Sequence, residues 1–466
     1  MSVEFEPHRA KMEAAGVPAV AIETFRYYFD RLRGGETGRI ARADVEPVSD
    51  LPELAALAPH REAGRAALAR AVVIKLNGGL GTTMGMTGAK SLLEVKNGLS
   101  FLDIIARQVL HLRAAYGCRL PLILMNSFRT REDSLRALEG HPGIAADVPL
   151  DFVQHKVPRI AAADLAPIAW PKQPAHEWCP PGHGDLYPAL LTSGMLQALL
   201  ARGYEWAFVS NADNLGAVLE LEILGWLDRE RIPFLMEVTE RTDADRKGGH
   251  LARARDGRLL LREIAQCPPD EIEDFQDVRR WRYFNTNSLW VSLSSLRTLL
   301  DERGGVLGLP MIRNEKPVDP DDPSSPRVIQ LETAMGAAIA VFAGARALIV
   351  PRSRFVAVKT TGDLLALWSD AYVLTDDVRV VPAPARAGGP PLVDLDPAYF
   401  RQVKDLRARF PKGAPSLVDC RRLVVRGDVR FGGGVVVRGD VQLRQPGPDP
   451  LVIDDGAVLG LSSMPD

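Results

Sequence analysis

The stretch AVVIKLNGGLGTTMGMTGAKS, residues 71–91, decides how this chain is read. Residues 71–74 are apolar and mostly β-branched, the pattern of a buried strand. The strand runs into a loop with glycines at 78, 79, 81, 85 and 88, and the loop ends in Lys90-Ser91. Without a Cβ, such a backbone can approach a ligand closely and aim amide N–H groups at phosphate oxygens, while lysine adds a mobile positive charge. Two common nucleotide motifs fail here. A Walker A loop needs Gly-Lys-Ser/Thr, but Ala89 separates Gly88 from Lys90; a dinucleotide loop needs GxGxxG, but Gly85 comes one residue late after Gly79 and Gly81. The expectation is a phosphate loop of another class. A lone loop of this kind is more often a hairpin without a ligand, so the rest of the chain has to decide.

At 466 residues the chain has room for two or three domains, each with a sizeable core. Lysine and arginine (57) nearly balance aspartate and glutamate (59), which argues against a dedicated nucleic-acid or membrane-surface binder. The opening MSVEFEPHRAK lacks the apolar run of a secretory signal. The most apolar stretch, residues 334–350, is rich in alanine and glycine and interrupted by Arg346, so it reads as a buried helix running into a strand. Cys118, Cys179, Cys267 and Cys420 are far apart and lack metal-ligand spacing, so they are expected to be reduced, structural and cytoplasmic.

Residues 8–70 carry helical periodicity, with Phe25, Tyr28, Phe29 and Leu32 on one face. From residue 71, strand-like runs such as LPLILMNS and EWAFVSNADN alternate with helical segments and end in polar residues. This alternation predicts an α/β fold, a doubly wound Rossmann-like parallel sheet with ligands at the carboxyl ends of its strands. Asp256-Gly257 between apolar runs predicts a hairpin inserted at the edge of that sheet. The segment VPAPARAGGPPL (381–392) reads as a linker. The expected division is a helical segment 1–70, a catalytic domain 71–384, and a linker with a small domain 385–466. In the last part VVRGDV occurs at 424–429 and again at 436–441, a period of two hexapeptides that suits a small β-helix or a hairpin.

Five further segments carry candidate chemistry. In DFVQHKVPRI, the Gln154 amide presents a donor beside an acceptor, the complement of one edge of uracil. In WCPPGHGDLYPAL, prolines and glycines pin a loop around His183, although a lone histidine is more often a core residue. VSNADNLG puts Asp213 at a strand end, where one carboxylate plus phosphate oxygens suits magnesium, and Asn211 and Asn214 would support the sugar phosphate or the loop itself. MEVTERTDADRKGGHL, LREIAQ and FNTNSLW offer Glu263, Asn285 and Asn287 as rigid partners for sugar hydroxyls, with Gly248-Gly249 allowing close approach; Asp243 and Asp245 read as a solvated turn. In FVAVKTTGDLL, Lys359 lies at a strand end and Asp363 suits a helix N-terminus.

LNGGLGTTMG followed by GAKS, with those five segments in the same order, resembles the eukaryotic-type UTP–glucose-1-phosphate uridylyltransferases, or UDP-glucose pyrophosphorylases. The resemblance covers residues 71–370 and returns in the tail; the family usually has GPKS, so Ala89 is a departure. It implies a GT-A-like nucleotidyltransferase domain and a C-terminal left-handed β-helix, through which oligomers could form. Nucleotide contacts are implied at Leu76, Asn77, Gly78, Gly79, Gln154, Gly182 and His183, and sugar-phosphate contacts at Asn211, Gly249, Glu263, Asn285 and Asn287. Asp213 would hold Mg²⁺, and Lys90 and Lys359 would form a cationic clamp on the reacting phosphates. The implied reaction joins UTP and glucose 1-phosphate to give UDP-glucose and pyrophosphate. A broad-specificity UDP-sugar enzyme acting also on galactose 1-phosphate is the nearest alternative, and an inactive UTP-binding regulator is more distant.

Overall fold

A computed structural model describes residues 4–386 and 388–460. Ten strands form one mixed sheet: β1 (Val45–Pro47), β2 (Ala71–Asn77), β3 (Leu122–Asn126), β4 (Asp151–Val153), β5 (Trp206–Asn211), β6 (Phe234–Glu240), β7 (His250–Ala254), β8 (Leu259–Arg262), β9 (Tyr283–Ser292) and β10 (Arg346–Ile349). The main path runs β1-β7-β9-β5-β2-β3-β4, with β6 beside β9, β10 beside β6 and β8 beside β7. Strands β5, β2, β3 and β4 are mutually parallel, so their carboxyl ends, and the loops that follow, gather along one edge.

The expected all-parallel sheet is corrected by β9, which lies antiparallel to both β5 and β6. After β6 the chain makes the β7–β8 hairpin and returns through β9, which pairs antiparallel with β7 as well, so this half of the sheet is built from antiparallel returns rather than crossovers. The hairpin sits at the sheet edge as expected, with Gly257 at φ +87° in its turn.

Both faces of the sheet are covered, which accounts for the continuous apolar β2. Val72 and Ile74 point into one core with Leu186 and Leu196; Val73 points into another with Phe101, Phe208 and Leu224. The second core continues without a break into Phe400, Leu423, Val425 and Val429 of the C-terminal segment. The N-terminal helices Glu6–Ala14 and Ala19–Arg33 bring Phe25, Tyr28, Phe29 and Leu32 into a third cluster with Val157 and Leu331, as their spacing predicts. The alanine-rich stretch after residue 334 is a 3₁₀ turn, Met335–Ala340, leading to β10.

The C-terminal segment contains four parallel strand pairings in three small sheets. Val424 pairs beside Gln442, and Val429 beside Leu451. The VVRGDV copies therefore do not stack on each other, and the hairpin alternative is excluded because every ladder there is parallel. Each Arg-Gly-Asp is a corner between short strands, with Gly427 at φ +91° and Gly439 at φ +62°. Among the described residues, all four cysteines are unpaired and no helix is long and apolar enough to cross a membrane.

Candidate active site

The strand ends and their loops line a cleft of about 320 Å³. Its walls hold Leu76, Asn77, Gly78, Gly79, Lys90, Gln154, Gly182, His183, Asn211 and Asp213, candidate residues from four separate segments of the sequence. Ser91, Met125, Pro180 and Ala212 also line it. Those four had been passed over, although each lies beside a marked residue or in a quoted strand.

The glycine loop is closed on itself. The Lys90 amide donates to the Gly79 carbonyl at 3.1 Å, and Leu80 bridges Ala89. A Cβ on Gly78 would lie 2.8 Å from Gln154 Oε1, so a larger residue there would displace the Gln154 side-chain amide. Lys90 Nζ donates to Asp213 Oδ2 at 2.6 Å and to the Val358 carbonyl at 2.5 Å, so one ammonium joins the loop, the β5 end and the segment before Lys359.

Asp213 is held from beneath by buried polar groups. Asn214 Oδ1 accepts from the amides of Gly216 and Val356, which assigns Asn214 to the loop rather than to a ligand. Arg354 clasps Glu237 at 2.7 Å through two nitrogens and donates to the Val218 carbonyl at 2.9 Å. Lys75 Nζ donates to Ser210 Oγ at 2.7 Å and to the Ala217 carbonyl at 2.8 Å; burial, then nearby Arg354, brings its pKa down to about 7.

His183 receives the Met335 amide on Nδ1 at 3.0 Å. Burial lowers its pKa to about 4, so at neutral pH the ring is uncharged and its proton resides on Nε2. The result is a fixed N–H donor on the cleft wall. Gly182, at φ +81°, and Gly184 lie so close to Thr333 that a Cβ would come within 2.4 Å or 2.2 Å of it, respectively. The Asn77 amide nitrogen is spent on Asn126 Oδ1 and Ser134 Oγ, both at 2.7 Å.

Gly249, Glu263, Asn285, Asn287 and Lys359 form a second group beside this cleft. Strand β9 bulges against β6, pairing Ser288 with Glu237 and then Asn285 with Val238. Asn287 takes φ +56° in the bulge, and Asn285 Nδ2 donates to Asn287 Oδ1 at 2.9 Å. A Cβ on Gly249 would lie 2.6 Å from the Glu263 carboxyl. Burial pushes Glu263 up to about 7, against the pull of Lys359. Lys359 Nζ rests over the rings of Phe284 and Phe355, at 5.6 and 5.5 Å, so it belongs to this second group rather than to the wall that carries Lys90. The two groups meet where Met335 binds His183 and the next residue, Gly336, packs on Asn285. The solvated turn is half corrected: Asp243 is exposed, but Asp245 is buried and takes two bonds from Arg352, at 2.7 and 2.9 Å.

Among the described residues, no three His, Cys, Asp or Glu side chains converge to cage a metal. Asp213 Oδ1 receives no hydrogen bond from the described residues, so the donor set fits a hard cation sharing one carboxylate with the phosphates of a bound ligand.

Residues 22–438 match the protein-family profile described as UTP–glucose-1-phosphate uridylyltransferase. The chain belongs to that family. The UTP–glucose-1-phosphate uridylyltransferase of Solanum tuberosum is 43% identical over 436 residues, covering 93% of this chain and 89% of that protein. Crystal structures of the UDP-glucose pyrophosphorylase from Leishmania major superpose with a TM-score of 0.93 at 46% identity, covering 98% of both chains. A mutant of that enzyme in complex with UDP-glucose matches with the same TM-score at 45% identity, again over 98% of each chain. The family assignment agrees with the order of cleft segments along the sequence.

Proposed function

We propose that this protein forms UDP-glucose and pyrophosphate from UTP and glucose 1-phosphate. The observation that carries the reading is the convergence of the glycine loop, the Lys90–Asp213 pair, Gln154 and His183 on one cleft at the strand ends. The family and the UDP-glucose complex of a relative support the same substrates.

Gln154 pairs with the uracil edge, and the amides of the Leu76–Gly79 stretch carry the phosphates with Lys90. The His183 Nε2–H donates to a phosphate oxygen without adding charge. Gly249, Glu263, Asn285 and Asn287 receive the hexose, with Asn211 toward its phosphate. Glu263, near half-protonation at neutral pH, serves a sugar hydroxyl as donor or acceptor. Asp213 would hold Mg²⁺, which would supply charge neutralisation at the phosphate oxygens.

A sugar phosphate is already largely ionised at neutral pH, its second pKa being about 6, so the nucleophile needs no general base. One of its oxygens attacks the α-phosphorus in line. That P–O bond forms as the bond to the β-phosphate breaks, and the electron pair leaves on pyrophosphate. Lys90 and Lys359 stabilise charge on opposite sides of the reacting group.

We read the three small parallel C-terminal sheets as a left-handed β-helix following the catalytic domain, with its outer edge available for self-association, and the unpaired cysteines as those of a cytoplasmic protein. The test is pyrophosphate release from UTP and Mg²⁺ with a panel of sugar 1-phosphates, wild type beside Asp213→Ala. Release with glucose 1-phosphate that the substitution abolishes is the expected result. Equal release across epimers points to a broad-specificity enzyme, and no release despite UTP binding points to a regulator.

A further inference from the structure

We infer that His155 and Asp185 are positioning residues that set the nucleotide preference of the cleft by fixing Gln154; this rests on the base-reading role given to Gln154 above. His155 follows Gln154 directly in a segment without regular structure, and Asp185 lies two residues after His183. The Asp185 carboxylate grips residue 155 twice. Its Oδ2 accepts the His155 backbone N–H at 2.6 Å, and its Oδ1 accepts the ring Nδ1–H at 2.8 Å. The remaining ring nitrogen, Nε2, takes the Thr192 hydroxyl at 2.9 Å. His155 and Asp185 are 8% and 4% exposed, so water does not compete effectively for these bonds.

The hydroxyl, imidazole and carboxylate follow the order of a nucleophilic triad, but Thr192 is not among the residues lining the cleft. Their geometry ties together two loops. On one side the Gln154 side chain packs on Gly78, its Oε1 2.8 Å from where a Cβ would stand; on the other, the clamp fixes the next residue; and the Gln154 backbone N–H donates to the Asn126 carbonyl at 2.8 Å. Because Asp185 also sits in the turn carrying His183, the clamp holds the base-reading amide and the phosphate-facing imidazole in one rigid unit. Without the ring of His155, the carboxylate keeps only the backbone bond, and the Gln154 side chain is free to meet pyrimidines that present a different donor-acceptor order.

The experiment measures binding and turnover of UTP and CTP, with KM for glucose 1-phosphate, in wild type and in His155→Leu, His155→Asn and Thr192→Val. His155→Leu should lower the UTP:CTP preference about tenfold, the loss expected for one hydrogen bond's worth of orientation, while KM for glucose 1-phosphate stays put. His155→Asn, whose amide N–H replaces Nδ1, should restore most of the preference. Thr192→Val should lower it by a smaller factor. A folded His155→Leu that keeps the wild-type ratio overturns the clamp, as does a variant that weakens both substrates equally. If His155→Leu does not fold, an unchanged ratio in Thr192→Val overturns it instead. A wild type that does not select uridine nucleotides overturns the base-reading role of Gln154 and the clamp together.

Discussion

Lys90 closes the glycine loop and Lys359 lies four residues before Asp363 at a helix N-terminus, and they do different work. Lys90 donates to Asp213 and to the Val358 carbonyl, leaving one N–H for a ligand, whereas Lys359 rests over two aromatic rings beside the Glu263 carboxyl. Replacing either with alanine should lower kcat by about a hundredfold, the loss of roughly 3 kcal/mol of transition-state stabilisation, while thermal unfolding stays near wild type. Near-wild-type turnover in Lys359→Ala would remove it from the chemistry. Glu263 gives a prediction with a sign. A carboxyl raised from its ordinary 4.5 to about 7 holds a proton in the folded protein that the unfolded chain has released, so it costs stability as pH climbs through that window. Relative to wild type, Glu263→Gln should therefore gain about 3 kcal/mol between pH 5 and pH 8, read from urea midpoints; an offset that does not change with pH contradicts this. Motif order was enough to mark the cleft residues because the segments recur together in one order; a glycine loop or a proline-pinned histidine taken alone has an ordinary structural reading. It did not show that the Asn77 side chain turns into the core or that Asp245 is buried, since both depend on partners, Asn126 and Arg352, far away in sequence.

At the scale of elements, the site depends on close backbone approach. The helices Arg61–Ala67 and Leu221–Glu230 cross at Gly64 and Gly225, where a Cβ would lie 1.8 Å from the Leu221 carbonyl oxygen and 1.9 Å from that of His60. No side chain can move aside there, so Gly225→Ala should destabilise the protein by about 1–3 kcal/mol, seen as a lower denaturation midpoint. An unchanged midpoint would mean that the crossing is looser than it is drawn here. The parallel core of the sheet was legible because β2, β3 and β5 are apolar runs ending in polar residues. The antiparallel β9 was not, because FNTNSLW reads equally as a ligand loop or a strand. It is both: a ten-residue strand whose bulge at Thr286–Asn287 turns two asparagines toward the second half of the site.

The whole molecule has less separation between its parts than the proline-glycine linker suggests. Thr361 donates to the Phe400 carbonyl at 2.6 Å, a Cβ on Gly362 would strike the Val393 carbonyl, and Gly85 of the glycine loop lies against Gln402. With one apolar core running from Val73 to Val429, the C-terminal segment should unfold together with the sheet. Circular dichroism and tryptophan fluorescence should therefore report a single coincident urea transition, and two resolved steps would contradict a shared core. Composition and repeats indicated a distinct tail, but they do not record which side chains it buries against the rest. The central claim is that a glucose 1-phosphate oxygen attacks the α-phosphorus of UTP. The most direct measurement uses glucose 1-phosphate carrying ¹⁸O in its phosphate and follows the label by mass spectrometry. The account predicts that all of the label appears in UDP-glucose and none in pyrophosphate; label in pyrophosphate, or no UDP-glucose formed at all, would contradict it.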